Sequence, residues 1–154
     1  MADFNQAQQQ KYDLLTGLGL PAEQAQASVM TDTNPPVASA EPTSVYAMLK
    51  ISDGANIEEL TAALKLYSAA SKASAGKVHA AYSVADGEVQ FLEIYNSPAA
   101  MDAHIGNCFP HYAKMLPHAE MTEIVCVCNP ADEAFWKTSA SAWGASKFIV
   151  TPSL

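Results

Sequence analysis

The chain has 154 residues, of which 49% are hydrophobic and 16% are charged, a composition typical of one globular domain with a sizeable core. Eight basic residues, all of them lysines, face sixteen acidic ones, so the net charge is −8 near neutral pH. This charge argues against nucleic acid and anionic membranes as partners. The absence of arginine, whose planar guanidinium binds phosphates and carboxylates with paired hydrogen bonds, argues against nucleotides and anionic metabolites as well.

The lack of a recognisable targeting signal and the spacing of the cysteines favour a cytoplasmic protein. The first residues lack the apolar stretch of a secretory signal, and no run approaches the roughly 18 apolar residues of a membrane-spanning helix. The three cysteines, Cys108, Cys126 and Cys128, do not show the paired spacing of a disulfide framework. We therefore expect a protein of a reducing compartment that is not bound to a membrane.

Residues 1–43 are predicted to form a helical extension followed by a connector. Residues 4–30 are rich in glutamine and alanine, and the breaks at Gly17, Gly19 and Pro21 predict two short helices. Residues 31–43 hold three prolines among small polar residues, which is typical of an extended connector. The remaining residues, 44–154, are predicted to be a separate α+β domain.

Within residues 44–154, strand and helix patterns alternate in the order β-α-β-β-α-β, followed by one more helix and strand. Apolar residues at helical spacing predict the helix over residues 57–73. Asp86-Gly87 between two apolar runs is a strong hairpin signal. Ser97 and Pro98 suit the start of a second helix, which Pro110 is expected to break. This order is the ferredoxin-like motif.

The hairpin register predicts which side chains share a face of the sheet. With Asp86-Gly87 as a two-residue loop, Tyr82 lies opposite Phe91 and Val78 lies opposite Tyr95. Because side chains alternate along a strand, one face is predicted to carry Tyr82, Phe91, Glu93 and Tyr95, and the other His79, Leu92 and Ile94.

The strands carry apolar residues on both faces, whereas a ferredoxin-like sheet has helices on only one. The second face therefore needs another cover. Two sheets packed face to face supply it, so we expect a homodimer. The alternative cover is the pair of N-terminal helices.

Residues 88–111, EVQFLEIYNSPAAMDAHIGNCFPH, contain a strand ending in Glu-x-Tyr, a Ser-Pro cap and a small-residue helix with Ala-His-Ile. This segment resembles the antibiotic-biosynthesis-monooxygenase group of dimeric α/β barrels. The resemblance implies a ferredoxin-like βαββαβ domain that forms a dimeric α/β barrel. It also implies that the face with Glu93 and Tyr95 lines the cavity, which would leave His79 facing the helices.

The same resemblance implies a site for a small hydrophobic or aromatic ligand. Glu93 is the sharpest signal, because an acid on an apolar face is rare unless it is paired or has a functional role. The predicted catalytic residues are Glu93, His104 and Tyr95. The predicted substrate-binding residues are Tyr82, Phe91 and Met101.

Two classes of function stay open from the sequence. The first is a cofactor-independent monooxygenase or cyclase acting on an aromatic or polyketide-like molecule, with Glu93 or His104 as proton acceptor. The second is a non-catalytic, hydrophobic-ligand-binding or stress-responsive barrel. A cavity with Glu93 and His104 near one point would favour the enzyme, and a cavity filled by side chains would favour the binding protein.

No cofactor or metal is expected. His104, His111 and His118 recur every seven residues, which on a helix separates neighbours by about 10.5 Å, too far to share one ion. No glycine-rich phosphate loop or catalytic-triad motif is present. Cys126 and Cys128 are predicted to be small buried residues of a strand.

Overall fold

The computed structural model describes residues 3–31 and 41–154. They form a mixed α+β fold with a five-stranded sheet, which confirms the predicted α+β class. The elements are α1 (Gln6–Gly17), α2 (Ala22–Thr31), β1 (Thr43–Ile51), α3 (Ile57–Ala73), β2 (Lys77–Ala85), β3 (Glu88–Tyr95), α4 (Pro98–Ala113), β4 (Ala119–Cys128), α5 (Glu133–Ala142) and β5 (Lys147–Pro152), with a short 3-10 turn at Pro130–Asp132 before α5.

The sheet has the strand order β2-β3-β1-β4-β5. The first four of these strands pair antiparallel with their neighbours, whereas β5 pairs parallel with β4. The central position of β1 places it between the hairpin β2-β3 and the C-terminal pair β4-β5. Every functional side chain described below therefore extends from this one sheet or from a helix packed on it.

The β2-β3 hairpin forms in the predicted register near its turn. Asp86 and Gly87 have φ angles of 52° and 80°, as a two-residue turn with both central residues in the left-handed region requires. Tyr82 pairs with Phe91, as predicted. The predicted pairing of Val78 with Tyr95 is wrong, because a β-bulge between Lys77 and His79 makes Lys77 the partner of Tyr95.

Helices α3 and α4 cover the face of the sheet that carries Phe91, Glu93 and Tyr95. Tyr67 of α3 stacks on Phe91 with ring centroids 5.1 Å apart, and His104 of α4 packs on Tyr95 at 5.3 Å. The expectation that His79 faces the helices is therefore wrong, and His79 is exposed on the other face. The apolar sides of both helices pack against the Phe91 face rather than the opposite face, because the opposite face mixes apolar and polar residues.

Helix α4 begins as predicted and ends later than predicted. The Ser97 side chain accepts a hydrogen bond from the backbone N–H of Ala100, and Pro98 occupies the first turn. The helix continues through Pro110 to Ala113, so the predicted break at Pro110 is wrong. Proline removes one N–H donor but has a φ compatible with a helix, and the last turn still buries Tyr112 in the core.

Helices α1 and α2 pack against the outer side of α4. Leu15 and Val29 have no exposed surface and belong to the same apolar core as the sheet. Side chains of α1 and α2 approach α4 closely at Gly106. A Cβ atom at this position would lie 2.9 Å from Nζ of Lys11 and 3.3 Å from Cβ of Ser28. The N-terminal helices thus cover α4 and leave the outer face of the sheet uncovered.

The outer face of the sheet exposes a row of apolar side chains, here called the open-face row. The register places Leu92 beside Tyr46, Tyr46 beside Val125, and Val125 beside Ile149. Leu92, Tyr46 and Ile149 are 43%, 36% and 40% exposed.

None of the helices in the described part of the chain is long and apolar enough to cross a bilayer.

Replacing Gly106 by leucine is expected to separate α1 and α2 from α4. The new side chain would overlap Ser28 and Lys11, and overpacking of this kind costs about 1–3 kcal/mol. Urea unfolding of Gly106→Leu measures the loss of stability. Gly17→Ala is the matched control, since a Cβ at Gly17 meets no atom within 4 Å, and its stability should be unchanged or slightly higher. Equal stabilities of the two variants would contradict the close packing.

Candidate active site

Three elements bring the predicted site residues together under α3 and α4. Alternation along β3 turns Phe91, Glu93 and Tyr95 to the helix side. One helical turn separates Tyr67 from Ser71 on α3, and the same spacing separates His104 from Cys108 on α4, so each pair lies on one side of its helix. The structure brings all six sequence-predicted residues into this region, namely Glu93, His104, Tyr95, Tyr82, Phe91 and Met101.

The Glu93 carboxylate is the centre of the cluster and is only 4% exposed. Its Oε1 accepts hydrogen bonds from Nζ of Lys77 at 2.7 Å, from the Tyr82 hydroxyl at 2.6 Å and from Oγ of Ser71 at 3.2 Å. Its Oε2 accepts one from the Tyr95 hydroxyl at 2.7 Å. Oε1 is thus saturated, whereas Oε2 keeps capacity for a further donor.

Lys77 supplies the positive charge that the buried carboxylate requires. Its side chain is 3% exposed, and the bulge in β2 turns it to the Tyr95 side of the strand. Besides Glu93, Nζ lies 2.7 Å from Oγ of Ser71, 3.2 Å from the Tyr95 hydroxyl and 2.9 Å from Nδ1 of His104. The ammonium also lies 4.4 Å from the centre of the Tyr95 ring, a cation–π distance.

The His104 imidazole connects Lys77 with Tyr67. Nε2 lies 2.8 Å from the Tyr67 hydroxyl and 3.6 Å from Oε2 of Glu93, and Nδ1 lies 2.9 Å from Nζ of Lys77. An ammonium can only donate, so Nδ1 is the acceptor and the proton of the neutral ring is assigned to Nε2. The Tyr67 oxygen then accepts from Nε2–H, and its own hydrogen is free to be donated elsewhere.

Burial and the ion pair fix the protonation states. Burial by itself would raise the pKa of Glu93, but the positive charge of a protonated His104, the charge of Lys77 and hydrogen bonds from Lys77 and Tyr82 outweigh it and lower the pKa. Burial lowers the pKa of His104 to about 3, so the ring is neutral near pH 7. The cation that compensates Glu93 at that pH is therefore Lys77, although burial lowers the pKa of this amine as well.

The tyrosines around the carboxylate stay protonated. Burial, followed by the negative charge of Glu93, raises the pKa of Tyr67, Tyr82 and Tyr95 above the usual value of a phenol. Tyr82 also makes a very short hydrogen bond to Oγ of Ser71. The cluster is thus an ion pair of zero net charge surrounded by phenol donors.

A small cavity of about 30 Å³ lies between the sheet and the helices. Glu93, His104 and Tyr67 form its polar part. The rest of the lining is mostly apolar or aromatic, namely Val45, Ala47, Phe91, Met101, Tyr112, Met121, Ile124, Cys126, Trp136 and Trp143. Lys77 does not line the cavity, so it acts on a bound molecule only through Glu93 and His104.

The cysteines are thiols buried in the core. Cys108, Cys126 and Cys128 are unpaired and at most 1% exposed, and burial raises the pKa of Cys108 and Cys126 to about 12. This agrees with the interpretation of Cys126 and Cys128 as small buried strand residues. Within residues 3–31 and 41–154, no three histidine, cysteine or acidic side chains converge as metal ligands would.

Sequence reasoning missed Lys77, Tyr67 and Ser71 as members of the site. Tyr67 and Ser71 are separated by four residues on a predicted helix, and this spacing could have marked them as neighbours. Nothing in the sequence marks Lys77, because a regular strand places Val78 opposite Tyr95. Only the bulge in β2 turns the lysine inward.

Comparisons with known proteins bear on the fold alone. No protein-family model matches the chain, and no curated protein matches it. Among solved structures, the chain is similar to the crystal structure of MupZ from Pseudomonas fluorescens. The TM-score is 0.61 over 77% of this chain and 91% of that chain, with 10% sequence identity. A likeness at this identity shows a shared fold and not a shared reaction.

Replacing Lys77 by methionine is expected to destabilise the protein strongly at pH 7. The variant leaves Glu93 as a buried anion without its cation, which typically costs about 3–5 kcal/mol. The control is Lys147→Met, whose side chain is 61% exposed in its pair with Glu123, so that the loss of stability should be within about 1 kcal/mol. Urea unfolding of both variants measures the difference.

The cost of Lys77→Met should shrink as the pH falls. In the wild type the pKa of Glu93 is below its unfolded value, so the stability it contributes is lost as the pH falls from the unfolded value near 4.5 towards 2. In the variant the pKa of Glu93 rises and His104, 3.6 Å away, is free to protonate, so acid relieves the unpaired charge. A difference that is the same at pH 7 and pH 4.5 would contradict the ion-pair account.

Proposed function

We propose that the protein is a cofactor-independent acid–base enzyme of the cyclase type that acts on an aromatic or polyketide-like small molecule. The observation that carries the proposal is the arrangement around Nε2 of His104. The Tyr67 hydroxyl lies 2.8 Å from it and Oε2 of Glu93 lies 3.6 Å from it, and all three residues line the same cavity. A donor and an acceptor thus lie at adjacent positions on one cavity, where the donor can reach a carbonyl oxygen of a bound molecule and the acceptor its hydroxyl.

The acid is Tyr67, supported by the two residues behind it. Lys77 donates to Nδ1 of His104, and Nε2–H of His104 donates to the Tyr67 oxygen. Each bond polarises the next, so the Tyr67 hydrogen becomes a stronger donor towards the cavity. A carbonyl oxygen of the substrate would accept this hydrogen as negative charge develops on it.

The base is Oε2 of Glu93, which accepts only the Tyr95 hydroxyl within the cluster. A substrate hydroxyl would donate to it and lose its proton while it attacks the carbon that Tyr67 activates. In a hydroxy-enone, the hydroxyl oxygen adds to the β-carbon, the C=C π bond breaks, and its electrons move through the conjugated system to the carbonyl oxygen. The hydroxyl proton moves to Glu93, and Tyr67 protonates the carbonyl oxygen to give an enol that tautomerises to the ketone. His104 then returns the proton from Glu93 to Tyr67 through Nε2. The neutral His104 is thus a relay in this scheme, and Glu93 is the acceptor.

Cyclisation suits these protonation states better than the monooxygenase reaction that the sequence resemblance also implies. Oxygenation of a phenol without a cofactor begins with full removal of the phenolic proton. A carboxylate that its surroundings hold ionised, with a lowered pKa, is suited to a proton transfer that is concerted with bond formation rather than complete beforehand. Concerted ring closure avoids a free anion. The monooxygenase remains the alternative reaction.

The strand order supports a ferredoxin-like domain as the scaffold. The chain passes through β-α-β-β-α-β from β1 to β4, and the sheet order of these strands is β2-β3-β1-β4, in agreement with that motif. In residues 3–31 and 41–154, the helices cover one face of the sheet and leave the open-face row exposed. We propose that a second copy covers the open-face row and forms the dimeric α/β barrel, because an uncovered row of large apolar residues is typical of an interface.

A second candidate function is non-catalytic binding of a hydrophobic ligand. The volume of the cavity favours it. About 30 Å³ is well below the roughly 300–1,000 Å³ of drug-sized ligand pockets, so side chains must shift before a substrate enters. Met101 and Met121 are the adaptable parts of the lining, because methionine has no branches and repacks at small cost.

Removing the Tyr67 hydroxyl separates the two functions. Tyr67→Phe should lower ring closure of linear hydroxy-enones, followed by mass spectrometry, by about 10²–10⁴-fold, with a change of a few degrees in Tm. Tyr46→Phe, on the open-face row, is the matched control and should keep full activity. Full activity of Tyr67→Phe would contradict the acid role.

The role of Glu93 needs a charge-balanced variant, because Glu93→Gln alone leaves Lys77 buried without its anion. The double variant Glu93→Gln with Lys77→Met removes both charges and should fold. We expect it to bind 4-ethylphenol but to lack ring closure. Binding by the wild type without turnover of any hydroxy-enone would favour the binding protein.

The proposed dimer predicts a particle of twice the chain mass of 16.3 kDa. Leu92→Lys places a charge at the β3 end of the open-face row and should weaken association by at least about tenfold, since an unpaired charge in an apolar interface is costly. Light scattering at micromolar concentration measures it. Leu66→Lys on α3, also exposed, should leave the mass unchanged. A monomeric wild type would overturn the proposal.

A further inference from the structure

Two buried tryptophans line the cavity, and in the described part of the chain their indole N–H groups have no hydrogen-bond partner. Trp136 is 1% exposed and Trp143 is 9% exposed. Neither Nε1 atom has an acceptor among the residues that the structure describes, and both side chains belong to the cavity lining. An indole N–H can only donate, and a buried donor without an acceptor is unfavourable.

Aromatic contacts hold both indoles in place. The Trp136 ring lies 5.7 Å from the Tyr95 ring, and the Trp143 ring lies 4.7 Å from the Tyr112 ring and 5.5 Å from the Phe109 ring. The Tyr112 hydroxyl already has a hydrogen-bond partner, because it donates to the backbone oxygen of Trp143 at 3.2 Å. The two indole donors therefore have defined positions in a lining whose other polar groups are Glu93, His104, Tyr67 and Tyr112.

We propose that these donors bind an oxygen of the ligand other than the two that Glu93 and Tyr67 would contact, an acceptor such as a ketone, ester or ether oxygen. This deepens the proposed function and rests on it for the location of the hydroxyl at Glu93. The ligand class is then a mostly apolar molecule that carries a hydroxyl donor and an acceptor oxygen placed for the indoles, and an aryl hydroxy-ketone is the smallest probe that has both.

Charge at the cavity favours a neutral acceptor over a carboxylate. The ionisable lining residues are Glu93, His104, Tyr67, Tyr112 and Cys126, and the Glu93 carboxylate is the charged one. Lys77 lies behind the lining and is already paired with Glu93. A carboxylate ligand would thus place a second anion in a buried space without a cation of its own, whereas a neutral oxygen needs only the donors that the indoles supply.

A matched pair of probes tests the acceptor. 4-Hydroxyacetophenone carries a hydroxyl and a ketone, and 4-ethylphenol has nearly the same shape without the ketone oxygen. Calorimetry on the full chain should give the ketone a three- to tenfold tighter Kd, the size of one hydrogen bond. Replacing the tryptophan that donates to the ketone, by Trp136→Phe or by Trp143→Phe, should abolish this preference for the ketone. Phe135→Leu on the same helix, which removes a neighbouring ring but no donor, should keep it.

A direct readout does not depend on whether the variants fold. The chain has two tryptophans, so its proton–nitrogen NMR spectrum has two indole signals. At least one should move downfield with 4-hydroxyacetophenone and stay in place with 4-ethylphenol. Failure of both probes to bind, equal affinities, or unmoved indole signals with the ketone would each overturn the inference. Selective binding without ring closure of hydroxy-enones would leave it intact and reject the enzyme instead.

Discussion

A carboxylate buried under two helices can stay charged only if a cation accompanies it, and in this protein Lys77 lies 2.7 Å from Glu93. The remaining contacts of the cluster depend on that pair. Lys77 fixes the acceptor nitrogen of His104, and His104 orients the Tyr67 hydroxyl. Glu93 in turn collects the hydroxyls of Tyr82 and Tyr95. Loss of either charge would leave the other buried and disturb every hydrogen bond around it.

The pair also explains why the site contains so many donors and so little charge. A lone acid in this cavity would have a raised pKa and would be protonated at neutral pH. With Lys77 behind it, Glu93 is ionised and presents one unsaturated oxygen to the cavity. The proposed chemistry depends on this division, in which the lysine is hidden and the carboxylate and the Tyr67 phenol are the groups that a bound molecule meets.

The two faces of the sheet serve different purposes. The inner face, with α3 and α4 above it, holds the cluster and the cavity, and α1 and α2 extend that cover over α4. The outer face keeps an apolar row without a cover in the described part of the chain. The likeness to MupZ reaches 77% of this chain, so the shared feature is the scaffold, whereas the reaction must be argued from the side chains it carries.

The sequence by itself determined the local structure and the placement of part of the cluster around Glu93, but not that of Lys77, Tyr67 or Ser71. Asp86-Gly87 set the hairpin and the pairing of Tyr82 with Phe91, because few residues tolerate positive φ at both central positions. Ser97 and Pro98 began α4 as expected, and the period of two along β3 placed Glu93 and Tyr95 on one face. Such features depend on residues that are close to one another in the chain, so they can be predicted from the sequence.

Tertiary structure alone decided the contacts between distant elements. The extra residue of the β2 bulge turned Lys77 inward, and no local pattern signals it, since the bulge is stabilised by the ion pair it creates. Packing decided that α3 and α4 lie over Glu93 rather than over His79. Burial of Tyr112 carried α4 past Pro110. Each outcome depends on a free-energy balance between elements far apart in sequence, which periodicity and capping rules do not contain.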